Sequence, residues 1–187
     1  MNDGVFLAVS NWVENAVIGL NLCPFAKREW ASQKVRIKIT DSSDSIDLLE
    51  DLAAELDILE GDENIETTLL VHPNTLVEFL DYNDFLGFAD RLVEELGYLG
   101  VYQLASFHPD YQFADTPVDA AENFTNRAPY PMLHILREQS LERAIDSHPD
   151  TQKIPENNIR RVNQLGADYM KNLLKECYEQ AGPRESI

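Results

Sequence analysis

The chain has 187 residues, of which 44% are hydrophobic, and this is typical of a globular protein with a core large enough to be stable alone. Its formal net charge of −18 argues against nucleic acid and anionic membranes as partners. No apolar run approaches the ~20 residues that span a bilayer, and the acidic start of the chain lacks the basic region of a secretory signal. Two cysteines are too few for a disulfide framework, so we expect free thiols and a reducing, cytoplasmic setting.

The chain opens with helical periodicity and then changes to strand periodicity. Residues 5–20 place apolar side chains on one side at helical spacing, which predicts a helix. A break follows at Pro24, and a short helix is expected through Ala31. Residues 34–40 alternate Val and Ile with Lys and Arg, which predicts a half-buried strand with one polar face.

Two further helix–strand units follow in the middle of the chain. Residues 41–59 begin with cap-forming residues and repeat Leu and Ile at helical spacing, which predicts an amphipathic helix. Residues 65–72 read as a second strand. Thr75 and Glu78 form a possible capping box for the next helix, which Gly97 can terminate.

The last part of the chain predicts two more strands and two more helices. Residues 98–107 and 131–138 read as the third and fourth strands, and a short helix is expected after the fourth. His148 precedes a proline and is expected in a turn. The longest predicted helix covers residues 154–180, with Ile159, Val162, Leu165, Tyr169 and Leu173 on its inner face and Gly182–Pro183 at its end.

This order of elements predicts an α/β fold in a single domain, residues 1–187. We expect a small sheet of about four strands with flanking helices, extra N- and C-terminal helices and one long ordered loop. Helical crossovers usually join parallel neighbours. The fourth strand can instead pair antiparallel to the third.

The segment from Ser106 to Glu138 is unusual for connecting chain. It carries two histidines, two arginines, two tyrosines and four prolines. Loops rarely exceed about 15 residues unless they are functional or disordered. A disordered linker would be poor in Phe and Tyr. The sequence therefore predicts an ordered loop around a site.

Acidic residues are concentrated in one block of the chain. Between Asp41 and Glu95 seventeen acidic side chains accompany a single basic one, Arg91. A solvated helical surface is the interpretation that such charge runs favour. A docking face for a basic partner is the alternative.

Three reactive side chains follow the ends of predicted elements. If Pro24 begins a helix, Cys23 is its N-cap, where the helix dipole lowers a thiol pKa and makes a nucleophile. His72 and His108 follow strand ends, so in parallel strands both would lie at one rim of the sheet. Asp110 can orient His108 as a general acid–base group. We expect Cys23, His72 and His108 to line one catalytic pocket. The alternatives are a buried apolar thiol and histidines in simple His-Pro turns.

A second group of residues suits the binding of a small anion. Arg127 and Arg137 flank a proline-rich run, and guanidinium groups match carboxylate or phosphate bidentately. His134, Tyr111 and Tyr130 are expected to complete the substrate-binding surface. The alternative is that each arginine forms a salt bridge within the loop.

Metal and cofactor signals are weak. Cys23 with the histidines is chemically adequate for zinc or iron, but no close-spaced ligand pair occurs. Glycine-rich nucleotide loops, the GxSxG elbow and the HExxH motif are also missing from the sequence. We predict no metal, and the sequence identifies no cofactor.

The runs "NLCPFA", "FHPDYQF" and "NFTNRAPYPMLHILRE" together resemble the bacterial family catalogued as domain of unknown function 1415, roughly from Trp12 to Gly166. The resemblance implies a bacterial cytoplasmic protein and supplies no catalytic residues.

Three functions remain open from the sequence. The first is an enzyme that acts on a small anionic metabolite through Cys23, His108 and the arginines. The second is a non-catalytic module that binds a metabolite or a metal. The third is an acidic interaction protein whose long loop is only structural. Substrate, reaction and oligomeric state are not specified by the sequence.

Overall fold

The computed structural model describes residues 2–146, 153–179 and 181, and these residues form seven α-helices and four strands. In chain order the elements are α1 (Asn2–Trp12), the π turn (Val13–Ile18), α2 (Ala26–Ala31), β1 (Val35–Ile39), α3 (Ser45–Gly61), β2 (Thr67–Val71), α4 (Phe79–Glu95), β3 (Tyr102–Phe107), a 3-10 turn (Ala121–Thr125), β4 (Met132–Arg137), α5 (Glu138–Asp146), α6 (Ile154–Leu165) and α7 (Ala167–Glu179). The turn predicted at His148 and the helix end predicted at Gly182–Pro183 lie outside the described residues.

The strands form one mixed sheet in the order β1-β2-β4-β3. β1 pairs parallel to β2, and β4 pairs antiparallel to both β2 and β3. β2 and β3 therefore run in the same direction, with β4 between them. This confirms the predicted α/β fold and the antiparallel pairing of the third and fourth strands. No helix among the described residues is long and apolar enough to cross a membrane.

Helices α3 and α4 cover one face of the sheet. Leu48, Leu52, Leu56 and Leu59 of α3 are fully buried and pack with Tyr82 and Phe85 of α4. Each such side chain contributes roughly 1.5–3 kcal/mol when buried. Asp44 caps α3 by accepting hydrogen bonds from two backbone N–H groups, at 2.8 and 3.0 Å. On this face Arg36 of β1 meets buried Glu55 through two hydrogen bonds, of 2.7 and 3.1 Å. Arg36, the central residue of the predicted polar face of β1, is therefore paired with α3.

Helix α1, the π turn and helix α7 pack on the opposite face. Val9, Trp12 and Val13 form a second core with Leu69, Val71 and Met132 of the sheet. Cys177 of α7 is fully buried in this core, and its thiol donates to the Leu173 carbonyl at 3.2 Å. Cys177 is therefore a packing residue of this core.

Two predicted details of the helices are wrong. Thr75 donates its hydroxyl to the Ser42 carbonyl, and α4 begins at Phe79 after Glu78, so no capping box forms. The predicted long C-terminal helix is broken at Gly166. Its φ of 85° lies outside the helical region, and glycine adopts such a positive φ without strain. The break changes the phase of the apolar stripe: Val162 is fully buried, whereas Tyr169 is 47% exposed.

The long loop between β3 and β4 is held by side-chain hydrogen bonds to its own backbone. Asn123 is fully buried, and its amide oxygen accepts from Phe113 N and Thr116 Oγ1 at 3.0 and 2.9 Å. Its amide nitrogen donates to Pro117 O at 2.9 Å. Asn126 ties the loop to β3 through Ser106 O at 3.1 Å. The loop is therefore compact without regular structure over most of its length.

Candidate functional site

His72 and His108 meet at the carboxyl rim of the sheet, as their positions after β2 and β3 predict. Both rings pack against Tyr82, with centroids 5.7 and 5.1 Å from its ring. The Tyr82 hydroxyl donates to Met132 O at 2.8 Å and accepts from Phe107 N at 3.0 Å. The three rings form a packed cluster on the α3–α4 face.

This rim cluster is closed to ligands. Both histidines are fully buried. His108 uses both ring nitrogens: Nε2 bonds to Leu76 O at 3.2 Å, and Nδ1 accepts from the backbone N–H of Asp110 at 3.0 Å. Burial lowers the pKa of His108, and it lowers the pKa of His72 to about 4. The expected partner of His108 was the Asp110 carboxylate, but the contact comes from its backbone.

Arg127 and Arg137 do not form one anion-binding pair. Arg127 precedes β4, whereas Arg137 is the last residue of this strand. Arg127 is buried and donates to Tyr111 O and Val118 O at 3.0 and 2.8 Å, with its guanidinium over the Phe124 ring. It fastens the long loop through backbone carbonyls. The alternative prediction was a salt bridge within the loop. Arg127 does hold the loop, but its partners are carbonyl oxygens and not carboxylates.

Arg137 fastens the connection between α3 and β2. Its guanidinium donates to the Leu59 carbonyl, to Ile65 O at 3.2 Å and to the Tyr102 hydroxyl at 2.9 Å. Helix C-termini leave such carbonyls unpaired, and a cation there also complements the helix dipole. These contacts occupy the Arg137 guanidinium, which the sequence analysis predicted to bind an anion.

Tyr111 and Tyr130 also pack the loop. Tyr111 lies against Phe79 and Phe113, with ring centroids 5.2 and 5.0 Å away. Tyr130 meets Tyr178 edge-on at 5.5 Å. Both tyrosines lie away from the cavity described next.

Cys23 lies elsewhere in the molecule, and its predicted N-cap position is wrong. Helix α2 begins at Ala26 with Phe25 as its N-cap, so Cys23 is in the preceding turn, where its carbonyl accepts from Ala26 N at 3.3 Å. The half-buried thiol lines a cavity on the α1 face of the sheet. His72 and His108 are not in this cavity, so the expected convergence of the three residues is not met.

The cavity, here called the sheet cavity, has a volume of about 290 Å³ and lies between the sheet, the π turn, α2 and the start of α5. Its walls are mostly apolar. The π turn supplies Val13 and Val17, and the sheet supplies Val35, Leu69, Phe107 and Leu136. The lining residues with polar side chains are Cys23, Arg28, Glu29, Glu66, Thr67, His134, Arg137 and Ser140.

The π turn shapes this wall. A π turn carries an extra residue relative to an α-helix, and such turns are frequent at functional sites. Gly19 follows the turn as its C-cap, and an added Cβ there would lie 2.3 Å from the Asn15 carbonyl oxygen. Only glycine fits this position without a shift of the turn. Two residues later Asn21 has a positive φ of 56°, which redirects the chain toward Cys23.

Two residues of the second predicted group, His134 and Arg137, line the cavity. His134 Nε2 lies 2.7 Å from the Thr67 hydroxyl oxygen, which also lies 2.6 Å from the Ile135 carbonyl oxygen. Burial lowers the pKa of His134 to about 4, so the imidazole is neutral at pH 7. His134 is half-buried, and it lines the cavity.

A second pocket, here called the polar recess, adjoins the sheet cavity. It has a volume of about 370 Å³ and shares Phe25, Arg28, Glu29, Glu66 and Ser140 with the cavity. Its charged residues are three cations and two carboxylates: Arg28, Lys34, Arg143, Glu29 and Glu66. Two ion pairs occur there, Arg28–Glu29 at 2.6 Å and Arg143–Glu66 at 4.0 Å.

Several of these residues were missed by sequence reasoning. Arg28 and Glu29 stand in a short polar helix, and such a helix gives no apolar stripe that shows which residues face a cavity. Thr67 gave one usable signal. Thr67 is a polar residue in a fully buried strand, and a buried hydroxyl needs a hydrogen-bond partner.

Metal ligands are not clustered in the part of the chain that the structure describes. Residues 2–146, 153–179 and 181 contain no group of three or more His, Cys, Asp and Glu side chains placed to hold a metal ion. Cys23, His134, Glu29 and Glu66 all line the sheet cavity, but they are not grouped closely enough to hold a metal ion.

Comparison with known proteins identifies a family. The family model described as "Protein of unknown function (DUF1415)" matches residues 5–172, which includes every residue of the sheet cavity and of the polar recess. Neither the curated proteins nor the solved structures include a match.

Proposed function

The chain belongs to the DUF1415 family, whose description names no activity, and we propose from its geometry that it is an enzyme acting on a small, mainly apolar anionic metabolite in the sheet cavity. The observation that carries the proposal is the presence of a half-buried thiol and a neutral imidazole in the wall of one apolar cavity. Reactive groups in a concave apolar site are the usual mark of a ligand-binding pocket.

The size and lining of the cavity determine the size and polarity of the ligand that fits it. Its volume of about 290 Å³ is near the lower end of the ~300–1,000 Å³ range of small-molecule pockets. Side chains such as Val17, Leu69 and Phe107 offer dispersion contacts and no hydrogen bonds. A ring or a short branched chain fits such walls, because its transfer from water gains about 25 cal/mol for each Å² buried.

The polar recess supplies the anionic preference. Three cations and two carboxylates leave it with one net positive charge, in a chain whose net charge is −18. Ligand uptake against the general negative field requires such a local site. Arg28, Lys34 and Arg143 therefore take the role that the sequence assigned to Arg127 and Arg137.

The chemistry is assigned to two side chains. Cys23 is the nucleophile candidate, since a thiol is the strongest nucleophile among the groups of the wall. His134 stays neutral at pH 7 and can accept a hydrogen bond. His72 and His108 receive no step in this proposal, because both are fully buried.

A non-catalytic binding module is the second candidate, and the walls of the cavity favour it. The cavity is lined mainly by hydrocarbon, which suits retention of a ligand as well as reaction. Slow, unassisted alkylation of Cys23 by iodoacetamide, at the rate of the unfolded chain, would select this candidate over the enzyme.

Binding is tested with two fluorescent probes that differ in charge. The anion 1-anilinonaphthalene-8-sulfonate and the neutral N-phenyl-1-naphthylamine both have an apolar body that responds to burial. Ala105→Phe places a ring in the sheet cavity, and we expect it to weaken both probes by about tenfold or more. Ala54→Phe makes the same change on the exposed side of α3 and serves as the matched control. Equal probe affinity in both variants and wild type would overturn the cavity as the binding site.

The recess is tested by removing two of its cations. Arg28→Gln combined with Arg143→Gln is expected to weaken the sulfonate probe by up to about fivefold and to leave the neutral probe unchanged. Loss of both probes to the same extent, or of neither, would contradict the anionic preference while leaving the cavity itself intact.

A further inference from the structure

Thr67 stands between His134 and the backbone of β4. Its side-chain oxygen lies 2.7 Å from His134 Nε2 and 2.6 Å from the Ile135 carbonyl oxygen. Thr67 is buried on β2, and its register partner on β4 is Leu136, one residue beyond Ile135. The three groups are thus fixed by sheet pairing and not by a flexible loop.

The number of protons in this chain of contacts determines the histidine tautomer. A carbonyl oxygen can only accept, so a hydrogen bond to Ile135 O must use the one hydroxyl proton of Thr67. The Thr67 oxygen is then an acceptor toward His134. His134 must therefore carry its proton on Nε2 to complete the 2.7 Å contact.

Nδ1 of His134 is left as the acceptor. No described residue donates a hydrogen bond to it, and it is not one of the two fully buried unpaired side-chain atoms among the described residues, Thr68 Oγ1 and His72 Nε2. The ring lines the sheet cavity, so Nδ1 is the nitrogen available to a molecule bound there.

We infer that Thr67 is a positioning residue that makes His134 Nδ1 an acceptor only, and that the ligand presents an O–H, N–H or S–H group to it. This inference rests on the sheet cavity being the ligand site. The ligand class is therefore a mainly apolar molecule with a hydrogen-bond donor at the sheet and an anionic group toward the polar recess. A carboxylate placed against Nδ1 would set two acceptors against each other, which disfavours that orientation.

The tautomer can be read directly by nitrogen-15 NMR of the histidine rings. In the wild type we expect His134 to show a protonated Nε2 and an unprotonated Nδ1. Thr67→Val keeps the shape and removes the hydroxyl, so His134 should change to a mixture of tautomers or to the Nδ1-protonated form. Thr67→Ser should restore the wild-type pattern. A protonated Nδ1 in the wild type, or an unchanged pattern in a folded Thr67→Val protein, would overturn the inference.

The ligand class is tested with phenol and anisole, which differ by the donor hydrogen. Displacement of N-phenyl-1-naphthylamine should show phenol binding roughly two- to tenfold more tightly than anisole. The preference should disappear in Thr67→Val and persist in Thr67→Ser. Equal binding of phenol and anisole to the wild type would refute the donor requirement and leave the cavity as a binding site. Binding of neither compound, together with failure of the fluorescent probes, would refute the proposed function as well.

Discussion

Buried histidines at the rim of the sheet make stability depend on pH. The pKa of His72 is lowered from 6.5 to about 4 in the folded protein, mainly by burial. Between these two values the unfolded chain binds a proton that the folded chain excludes, so stability falls as the pH falls. Above pH 6.5 both states are neutral at this residue and the effect vanishes.

Replacement of His72 by Gln should therefore flatten the acid limb of the stability curve. Each pKa unit corresponds to about 1.4 kcal/mol, so the wild type should lose roughly 3 kcal/mol more than the variant between pH 6.5 and pH 4. Urea unfolding at several pH values measures this difference. His134 has a similar shift and is retained in both proteins, so its contribution cancels. If the unfolding free energies of the two proteins changed with pH in parallel, the low pKa of His72 would be contradicted.

Arg127 and Arg28 should behave in opposite ways when replaced. Arg127 is buried and bonded to two loop carbonyls, so Arg127→Ala should cost roughly 1.5–3 kcal/mol of unfolding free energy and lower the melting temperature. It should leave binding of the sulfonate probe unchanged. Arg28 is 84% exposed, so Arg28→Gln should leave the melting temperature unchanged and weaken that probe. A stable Arg127→Ala protein with weakened probe binding would restore the anion role to Arg127.

At the scale of elements, the π turn connects packing to the proposed site. Gly19→Ala would place a Cβ 2.3 Å from the Asn15 carbonyl oxygen, so the turn has to shift. Because Val13 and Val17 lie in the cavity wall, the shift should weaken both fluorescent probes as well as cost about 1–3 kcal/mol of stability.

Gly87→Ala is the matched control for this change. Gly87 lies inside α4, where an added Cβ meets nothing within 4 Å. The substitution should stabilise the protein by about 0.5–1 kcal/mol and leave probe binding unchanged. Normal probe affinity in the Gly19→Ala protein would show that the π turn does not shape the binding cavity.

Periodicity located the elements well, because it follows directly from which side of each element is buried. The four strands and the first four helices appear close to their predicted ranges. The helix break at Gly166 was missed because a glycine inside a strong apolar pattern is usually tolerated. The capping box at Thr75 failed because the hydroxyl found a tertiary partner, Ser42 O, which no local pattern reveals.

The site was harder to predict than the fold. Strand direction correctly placed His72 and His108 at one rim, since β2 and β3 are parallel. Alternation along a strand also decides the face, and it puts both histidines on the α3–α4 face, away from Cys23. The sequence alone does not show that a buried polar residue has its hydrogen bonds made inside the protein, which is the case for His108. Nor does it show that half-buried Arg137 donates to the Ile65 carbonyl and the Tyr102 hydroxyl.

At the scale of the whole molecule, charge is separated from the proposed site. Helices α3 and α4 carry much of the acidic block and cover the face opposite to the sheet cavity. The polar recess has a local excess of cations. A ligand with one negative charge is therefore repelled by one side of the protein and accepted on the other, and its binding should weaken as salt screens the recess.

The central claim is that Cys23 belongs to the ligand cavity, and alkylation of its thiol by iodoacetamide tests this most directly. Cys177 is fully buried and serves as the internal control, and Cys23→Ser identifies the labelled site. Mass spectrometry would follow the alkylation rate as N-phenyl-1-naphthylamine is added. We predict that a probe concentration of about ten times its Kd slows labelling about tenfold, with half-protection at the Kd measured by fluorescence. An unchanged labelling rate with the probe fully bound would contradict the claim.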